Sequence, residues 1–394
     1  MTGFSSSLPT WLDDEQRVFR ETVRTFARRE IQPLAAEIDR TETFPRSVID
    51  KMGQLGLFSL AIPEEFGGTD ASVVTQCIAL EELAYATPVA SLIVSPSLVM
   101  SLVLRYAGGE PSARCLKRLG DPGVVAAVAL SEPGAGSDSA SISTRAERVA
   151  GGYILNGRKQ WVTNGGIADV FCIFARTGST EDRAHGITAF LVDSGAVGFT
   201  VAKLENKMGL RGSTTAECVL EQVYVSDENV VGEVGKGFGY VMRAFDVTRP
   251  MMAVVALGIA QAALDAALVY STEREQFGKP IGEFQGMQFL LADMAIGLES
   301  ARAITYEAAR LADLDSPDTT FFASISKSYA TDVAMSVTTD AVQVFGGYGY
   351  VNDFPVERMM RDAKIFQIFE GTNQIQRMII GRQLGRWARE VNGS

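Results

Sequence analysis

The hydrophobic period of this chain changes twice, and that change constrains the fold more than any single motif. Up to about residue 122, apolar residues recur at helical spacing. In 12–38 the stripe runs through Val18, Phe19, Val23, Phe26, Ala27 and Ile31, with charges opposite. Asp13, Asp14 and Glu15 open it, where acids favour a helix dipole. Residues 72–86 and 91–106 read as two further helices, the second apolar enough to be buried. IPEEFGG, 62–68, reads as a loop, because Pro and paired Gly break regular structure. From about 124 to 231 the period drops to two. GYILNGRKQWVTNGG alternates around Asn156-Gly157, a hairpin signal. ADVFCIFART, GITAFLVD and TTAECVLEQVYV carry the Val, Ile, Phe and Thr of strands. Beyond Gly235 the period is helical again, over 249–272, 282–311, 317–344 and 372–389. These segments are long enough for an antiparallel bundle, with Ala-rich faces such as AQAALDAAL for close packing. No βα unit repeats, which argues against a doubly wound nucleotide fold. The expected architecture is α+β, mostly α: a helical domain at 1–122, a β domain at 123–233 and a helical bundle at 234–394. GEVGKGFG, 232–239, falls at the second junction and reads as a linker.

The 394 residues carry a net charge of -11, so nucleic acid is not an expected partner. No uninterrupted apolar run reaches the roughly 18–20 residues of a membrane span. The first residues lack the pattern of a secretory or organelle leader, so the expected location is the cytoplasm. The four cysteines, Cys77, Cys115, Cys172 and Cys218, form no CxxC pair and read as buried apolar residues rather than metal ligands. The single histidine, His185, lies in the polar stretch TEDRAHGIT and reads as surface loop. A Ser-His-Asp triad, a Cys-His pair or a His-rich metal site would have to rest on that one residue. Acid–base chemistry therefore falls to carboxylates, Lys, Tyr or an organic cofactor.

One carboxylate stands out. Glu370 follows Ile365, Phe366, Ile368 and Phe369 and precedes Gly371. Apolar surroundings strip hydration from a carboxylate and raise its pKa, as a base for carbon-bound protons requires. The same residues also read as a helix start, where an acid is favoured on dipole grounds alone. Four Gly- or aromatic-bearing segments accompany it. ALSEPGAGSDSAS, 129–141, has glycines that let backbone N–H groups approach an anion or a flat ring, or it is an ordinary turn. KQWVTNGG, 159–166, sets a Trp and a Thr two apart, on one face of a strand. EREQFGKPIGEFQ, 273–285, places Arg274 and Lys279 beside Phe277, which suits a pyrophosphate clamp or a charged loop. AVQVFGGYGY, 341–350, is a Gly-rich break after an apolar helix.

These segments, in this order and over about residues 12–386, resemble the acyl-CoA dehydrogenase family. The resemblance implies an N-terminal helical domain, a central β domain and a C-terminal four-helix bundle, with non-covalently bound FAD. It implies that Glu370 takes the α-proton of an acyl thioester while a β-hydride passes to flavin N5. The thioester carbonyl would be polarised by the Glu370 N–H and a ribityl hydroxyl of FAD. Carried over by position, Leu130, Ser131, Trp161 and Thr163 look like flavin-ring contacts, and Thr372 and Gln374 like further FAD contacts. Arg274, Phe277, Gln285, Gln343, Gly346 and Gly347 look like contacts to the FAD of a neighbouring subunit, which implies a homodimer at least and usually a homotetramer. Ser137, Asp246, Arg249 and Gly371 look like substrate contacts. Some members of the family keep their base on another helix; that position here is Thr248, which has no carboxylate.

The resemblance further implies an acyl-CoA substrate and an electron-transferring flavoprotein as electron acceptor. Val99, Met100 and Val103 fall where the acyl pocket closes and point to a short to medium, straight or branched chain. A carrier-protein thioester, or an oxidase or monooxygenase on the same fold, is the alternative expectation; a non-catalytic scaffold is the third. No metal is expected.

Overall fold

The first helix, α1 (Asp14–Phe26), opens on a reciprocal cap: the Asp13 carboxylate accepts the Gln16 N–H, and the Gln16 side chain accepts the Asp13 N–H. This computed structural model describes residues 12–391. The outer ends of the two terminal regions expected from sequence, 1–11 and 392–394, lie outside the described residues. The segment expected as one helix is broken by a π-turn at Ala27–Ile31 and a 3-10 turn at Gln32–Leu34 before α2 (Ala35–Thr41). Pro33 accounts for the break, since it has no N–H to continue the ladder. Then follow α3 (Arg46–Gln54), α4 (Val73–Ala86), α5 (Pro88–Ala107) and α6 (Gly109–Leu119). The Ser72 hydroxyl caps α4 by accepting the Thr75 N–H at 3.1 Å.

The middle of the chain forms one eight-stranded sheet. Its strands are β1 (Ala126–Ala129), β2 (Arg145–Val149), β3 (Gly152–Thr163), β4 (Val170–Arg176), β5 (Ile187–Asp193), β6 (Phe199–Leu204), β7 (Thr215–Ser226) and β8 (Val230–Val231). They run in the order β6-β7-β3-β2-β4-β5-β8, with β1 beside β4. The hairpin expected at Asn156-Gly157 is not there. The chain turns before β3, and Asn156-Gly157 lies inside that strand at an irregularity in its pairing with β7. The Asn156 carboxamide oxygen accepts the Gln222 N–H at 2.8 Å, so it serves a bulge rather than a turn. At Gly157 a Cβ would lie 2.5 Å from Thr144 Oγ1, so the glycine answers a close approach by the residue just before β2.

The last part comprises α7 (Gly237–Glu273), a small hairpin of β9 (Glu275–Gln276) and β10 (Lys279–Pro280), α8 (Gln285–Asp313), α9 (Thr319–Phe345), α10 (Val356–Ala363) and α11 (Asn373–Val391). Helix α7 starts well before the expected residue 249 and absorbs part of the presumed linker. A Cβ at Gly237 would lie 2.6 Å from the Ala189 N, so this residue packs the helix start against β5. α7 packs on α4, α5, α8 and α9 and is the common core of both helical regions. A buried polar node crosses that core: Glu81 of α4 accepts from Arg302 at 2.9 Å and from Tyr306 at 2.7 Å, and Arg302 also donates to Gln261 of α7 at 2.9 Å. α5 and α7 are long and apolar enough to cross a membrane, although no uninterrupted run flagged them in sequence. Both are largely buried by neighbouring elements, the position of core helices. All four cysteines are buried and free, and His185 is exposed.

Candidate active site

The chain leaves α10 through a 3-10 turn, Lys364–Gln367, and then takes two consecutive residues in the left-handed region: Glu370 at φ 54° and Gly371 at φ 87°. Glycine tolerates that region, whereas a glutamate there is strained and must be held in place. Both carbonyls of the turn are held. The Gln376 carboxamide donates to Glu370 O at 3.3 Å and to Gly371 O at 3.0 Å. The Lys327 ammonium of α9 donates to Gly371 O at 2.7 Å and to Asn373 Oδ1 at 3.0 Å. The N–H groups of Glu370 and Gly371 have no protein acceptor among the described residues. Thr372, not Glu370, caps α11, its hydroxyl accepting the Ile375 N–H at 3.2 Å.

The half-buried Glu370 carboxylate meets the buried Thr248 hydroxyl of α7 at 3.4 Å. Burial pushes its pKa up to about 6, against the opposing pull of Arg249, Lys327 and the Thr248 hydroxyl. Arg249 is buried and ion-paired with Asp246 one helical turn back, and the second Asp246 oxygen accepts from Thr320 at 2.8 Å. The buried Arg249 Nε has no protein partner among the described residues.

A second cluster stands on the sheet. Leu130 is buried and Ser131 half-buried. Lys159, fully buried in β3, donates to Leu130 O at 3.0 Å and to Glu132 at 2.7 Å, and the Gln160 N–H donates to Ser131 O at 2.9 Å. Glu132 also accepts the N–H groups of Ser143 at 2.6 Å and Thr144 at 2.9 Å. Burial raises the Glu132 pKa, but Lys159 and these donors outweigh it and bring the group down to about 2. Burial brings Lys159 down to about 8. Beyond Lys159 the strand bulges, and Trp161 sits at φ 62° with 61% of its surface exposed. Val162, between Trp161 and Thr163, is buried at 1% exposure. Thr163 is half-buried.

A third cluster lies on the β9–β10 hairpin. Phe277 and Gly278, at φ 54° and 82°, form its two-residue turn, and Phe277 is 94% exposed. The Arg274 guanidinium lies over the Tyr348 ring at 5.5 Å, joining this hairpin to the glycine-rich end of α9. Gln343, Gly346 and Gly347 are exposed there, as is Gln285 at the start of α8. At the start of α11, Thr372 is half-buried and Gln374 exposed. Ser137 is exposed in the loop after β1, and no hydrogen bond among the described residues joins it to Asp246 or Arg249.

Sequence reasoning missed Lys327, Gln376, Lys159 and Glu132. Lys327 had one usable signal: it is the only charge in FFASISKSYAT, within an otherwise apolar and small-residue helix face.

An acid raised towards neutrality, set in a strained turn whose N–H groups have no protein acceptor among the described residues, is equipped to take a proton from carbon beside a carbonyl. Comparison with known proteins gives the family. The chain matches the N-terminal domain of acyl-CoA dehydrogenase over residues 13–121, the middle domain over 127–223 and the C-terminal domain over 235–385. It is 43% identical to the short-chain-specific acyl-CoA dehydrogenase of Clostridium acetobutylicum, over 95% of this chain and 99% of that one. Butyryl-CoA dehydrogenase from Megasphaera elsdenii superposes with a TM-score of 0.92 at 40% identity, over 96% of this chain and 100% of that chain. A chain with the same TM-score of 0.92 and 40% identity, matched over 96% of this chain and 99% of its own, comes from a structure of the electron transferring flavoprotein of Acidaminococcus fermentans. The chain belongs to the acyl-CoA dehydrogenase family.

Members of this family are FAD flavoproteins. The residues present fit that group. Trp161 offers an exposed aromatic face beside a Leu130–Ser131 backbone immobilised from behind by Lys159 and Gln160. At Gly134, Gly136, Gly346 and Gly347, no atom lies within 4 Å of where a Cβ would stand, which leaves room for close backbone approach.

Proposed function

We propose that this acyl-CoA dehydrogenase desaturates a short- to medium-chain acyl-CoA between Cα and Cβ, with Glu370 as the base for the α-proton. The observation that carries the reading is the Glu370–Gly371 turn. Its carbonyls are engaged by Lys327 and Gln376, which leaves the Glu370 N–H, with that of Gly371 beside it, for a thioester carbonyl oxygen. Donors fixed in advance at that oxygen stabilise the enolate-like charge that builds as the proton leaves. The carboxylate, raised to about 6, is ionised at neutral pH yet basic enough to share that proton.

Leu130, Ser131, Trp161 and Thr163 would hold the FAD ring, with Thr372 and Gln374 at its side. Bound FAD supplies the acceptor, N5, for the β-hydride. Arg274, Phe277, Gln285, Gln343, Gly346 and Gly347 would reach the FAD of a neighbouring subunit; the outward Phe277 supports this, and a homotetramer is the proposed assembly. Ser137, Asp246 and Arg249 would contact the CoA-bearing substrate. The likeness to short-chain and butyryl-CoA enzymes supports a short acyl group, as do Val99, Met100 and Val103, all buried in α5. The proposed electron acceptor is an electron-transferring flavoprotein, supported by the similar chain from the Acidaminococcus structure.

Anaerobic titration of the FAD-loaded protein with a panel of acyl-CoA thioesters tests the reading. Bleaching of the flavin by a short straight or branched acyl-CoA is expected. Full FAD occupancy with no bleaching by any acyl thioester contradicts it, and oxygen uptake without an added acceptor would identify an oxidase instead.

A further inference from the structure

Lys327 is completely buried in the first third of α9, the only charge between Thr319 and Thr331. A buried ammonium is costly unless every proton finds a partner. Its two recorded partners both belong to the segment that carries the proposed base: Gly371 O at 2.7 Å and Asn373 Oδ1 at 3.0 Å. The Asn373 carboxamide in turn donates to Thr331 at 2.9 Å and to Asp332 at 2.8 Å, so its orientation is set by the same helix. Gln376 shares the Gly371 carbonyl with Lys327 and also holds the Glu370 carbonyl. Two residues in succession at positive φ need such restraint.

We infer that Lys327 is a positioning residue for the desaturation: by capturing the Gly371 carbonyl from behind, it fixes the left-handed turn that presents the Glu370 carboxylate and the free N–H groups to the thioester. This rests on the proposed role of Glu370. Lys327 does not itself meet substrate. It acts through the turn, and also through its charge. The charged groups that face it are Glu370 from the turn, Arg249 from α7 and Asp332 from its own helix. Glu370 faces Lys327 and Arg249, with the neutral Thr248 hydroxyl. Removing the ammonium deletes one of the two cations that keep the Glu370 pKa from rising further.

The test uses FAD-loaded wild type, Lys327→Met and Lys327→Gln. Met matches the stem without a donor; Gln keeps a donor without the charge. Anaerobic flavin reduction by butyryl-CoA is followed from pH 5 to 9, and the infrared carbonyl band of bound carbonyl-¹³C crotonyl-CoA is recorded on each protein. In Lys327→Met we expect a loss of about 100-fold in the reduction rate, the scale of a small misplacement of reacting groups. Its pH midpoint moves up, and the carbonyl band loses its red shift relative to wild type. Lys327→Gln recovers most of the rate and the band shift while its midpoint stays raised. Wild-type rate, midpoint and carbonyl band in a folded Lys327→Met would overturn the inference. Should Met fail to fold or to hold FAD, a wild-type midpoint in Lys327→Gln overturns it equally. A wild type that binds FAD but is not bleached overturns the proposed function, and this inference with it.

Discussion

The Thr248 hydroxyl of α7 stands 3.4 Å from Glu370 Oε2, so two positions 122 residues apart in sequence meet at one carboxylate. That distance gives physical content to the alternative base position seen in sequence. A carboxylate carried on residue 248 would reach the same space as the one carried on residue 370.

An exchange experiment follows. In Glu370→Gly the strained turn relaxes, because glycine accepts positive φ, and the vacated volume leaves room for a longer side chain at the buried residue 248. Adding Thr248→Glu to that variant should recover at least about tenfold of the lost reduction rate, as a restored general base would. No recovery, with FAD bound, would show that the two positions do not serve one locus.

The proposed base also sets a pH dependence. With the Glu370 pKa pushed up to about 6 by burial, the group is protonated and inactive below that pH and ionised above it. kcat/KM, which reports the free enzyme, should rise through a midpoint near 6 to a plateau. A midpoint near 4 would mean that the carboxylate is hydrated and outside this turn.

Lys159 and Glu132 form a buried ion pair behind the Leu130 carbonyl. Lys159→Met leaves the Glu132 charge without its cation and should cost roughly 3–5 kcal/mol of stability, with weakened FAD retention. Lys159→Met with Glu132→Gln should be milder, because no unpaired charge stays buried, and the amide oxygen can still accept one of the two N–H groups that the two carboxylate oxygens take from Ser143 and Thr144. Calorimetry with and without FAD checks both; equal losses in the two variants would contradict the pairing.

A stability prediction comes from Asp362, buried at the end of α10, whose carboxylate accepts the Leu210 N–H at 2.6 Å. Burial raises its pKa to about 7, above the unfolded value. Its contribution to stability is therefore fully present below the unfolded pKa and is lost as pH rises through about 7. Asp362→Asn keeps an acceptor for Leu210 and removes the charge. It should stabilise the protein by about 2–4 kcal/mol at pH 8.5 and have little effect at pH 4. A melting difference independent of pH would contradict this.

Much of the architecture was legible because period is a direct consequence of burial on one face. The helical stripe at Val23, Phe26 and Ile31 and the strands around Phe171 and Phe190 announced themselves in that way, whereas Val18, read into the same stripe, is exposed. Failures occurred where tertiary packing overrides local chemistry. Asn156-Gly157 has the composition of a turn, yet its glycine is required by the nearness of Thr144, the residue just before β2. The bulge between Lys159 and Val162 left no mark in the sequence. At the site, Glu370 was visible from its apolar neighbours, and the helix start it resembled belongs to Thr372. Lys327 and Gln376 were not visible, because they act on backbone carbonyls, and no sequence pattern records which carbonyl a distant side chain will hold.

The central claim is that Glu370 removes the α-proton. Its most direct test is the anaerobic reduction of flavin in Glu370→Gln by butyryl-CoA, measured beside wild type with FAD and ligand binding verified in both. The amide keeps the shape and loses the basicity, so reduction should fall by at least roughly 10²–10⁴-fold while binding persists. Reduction at the wild-type rate would place the base on another residue.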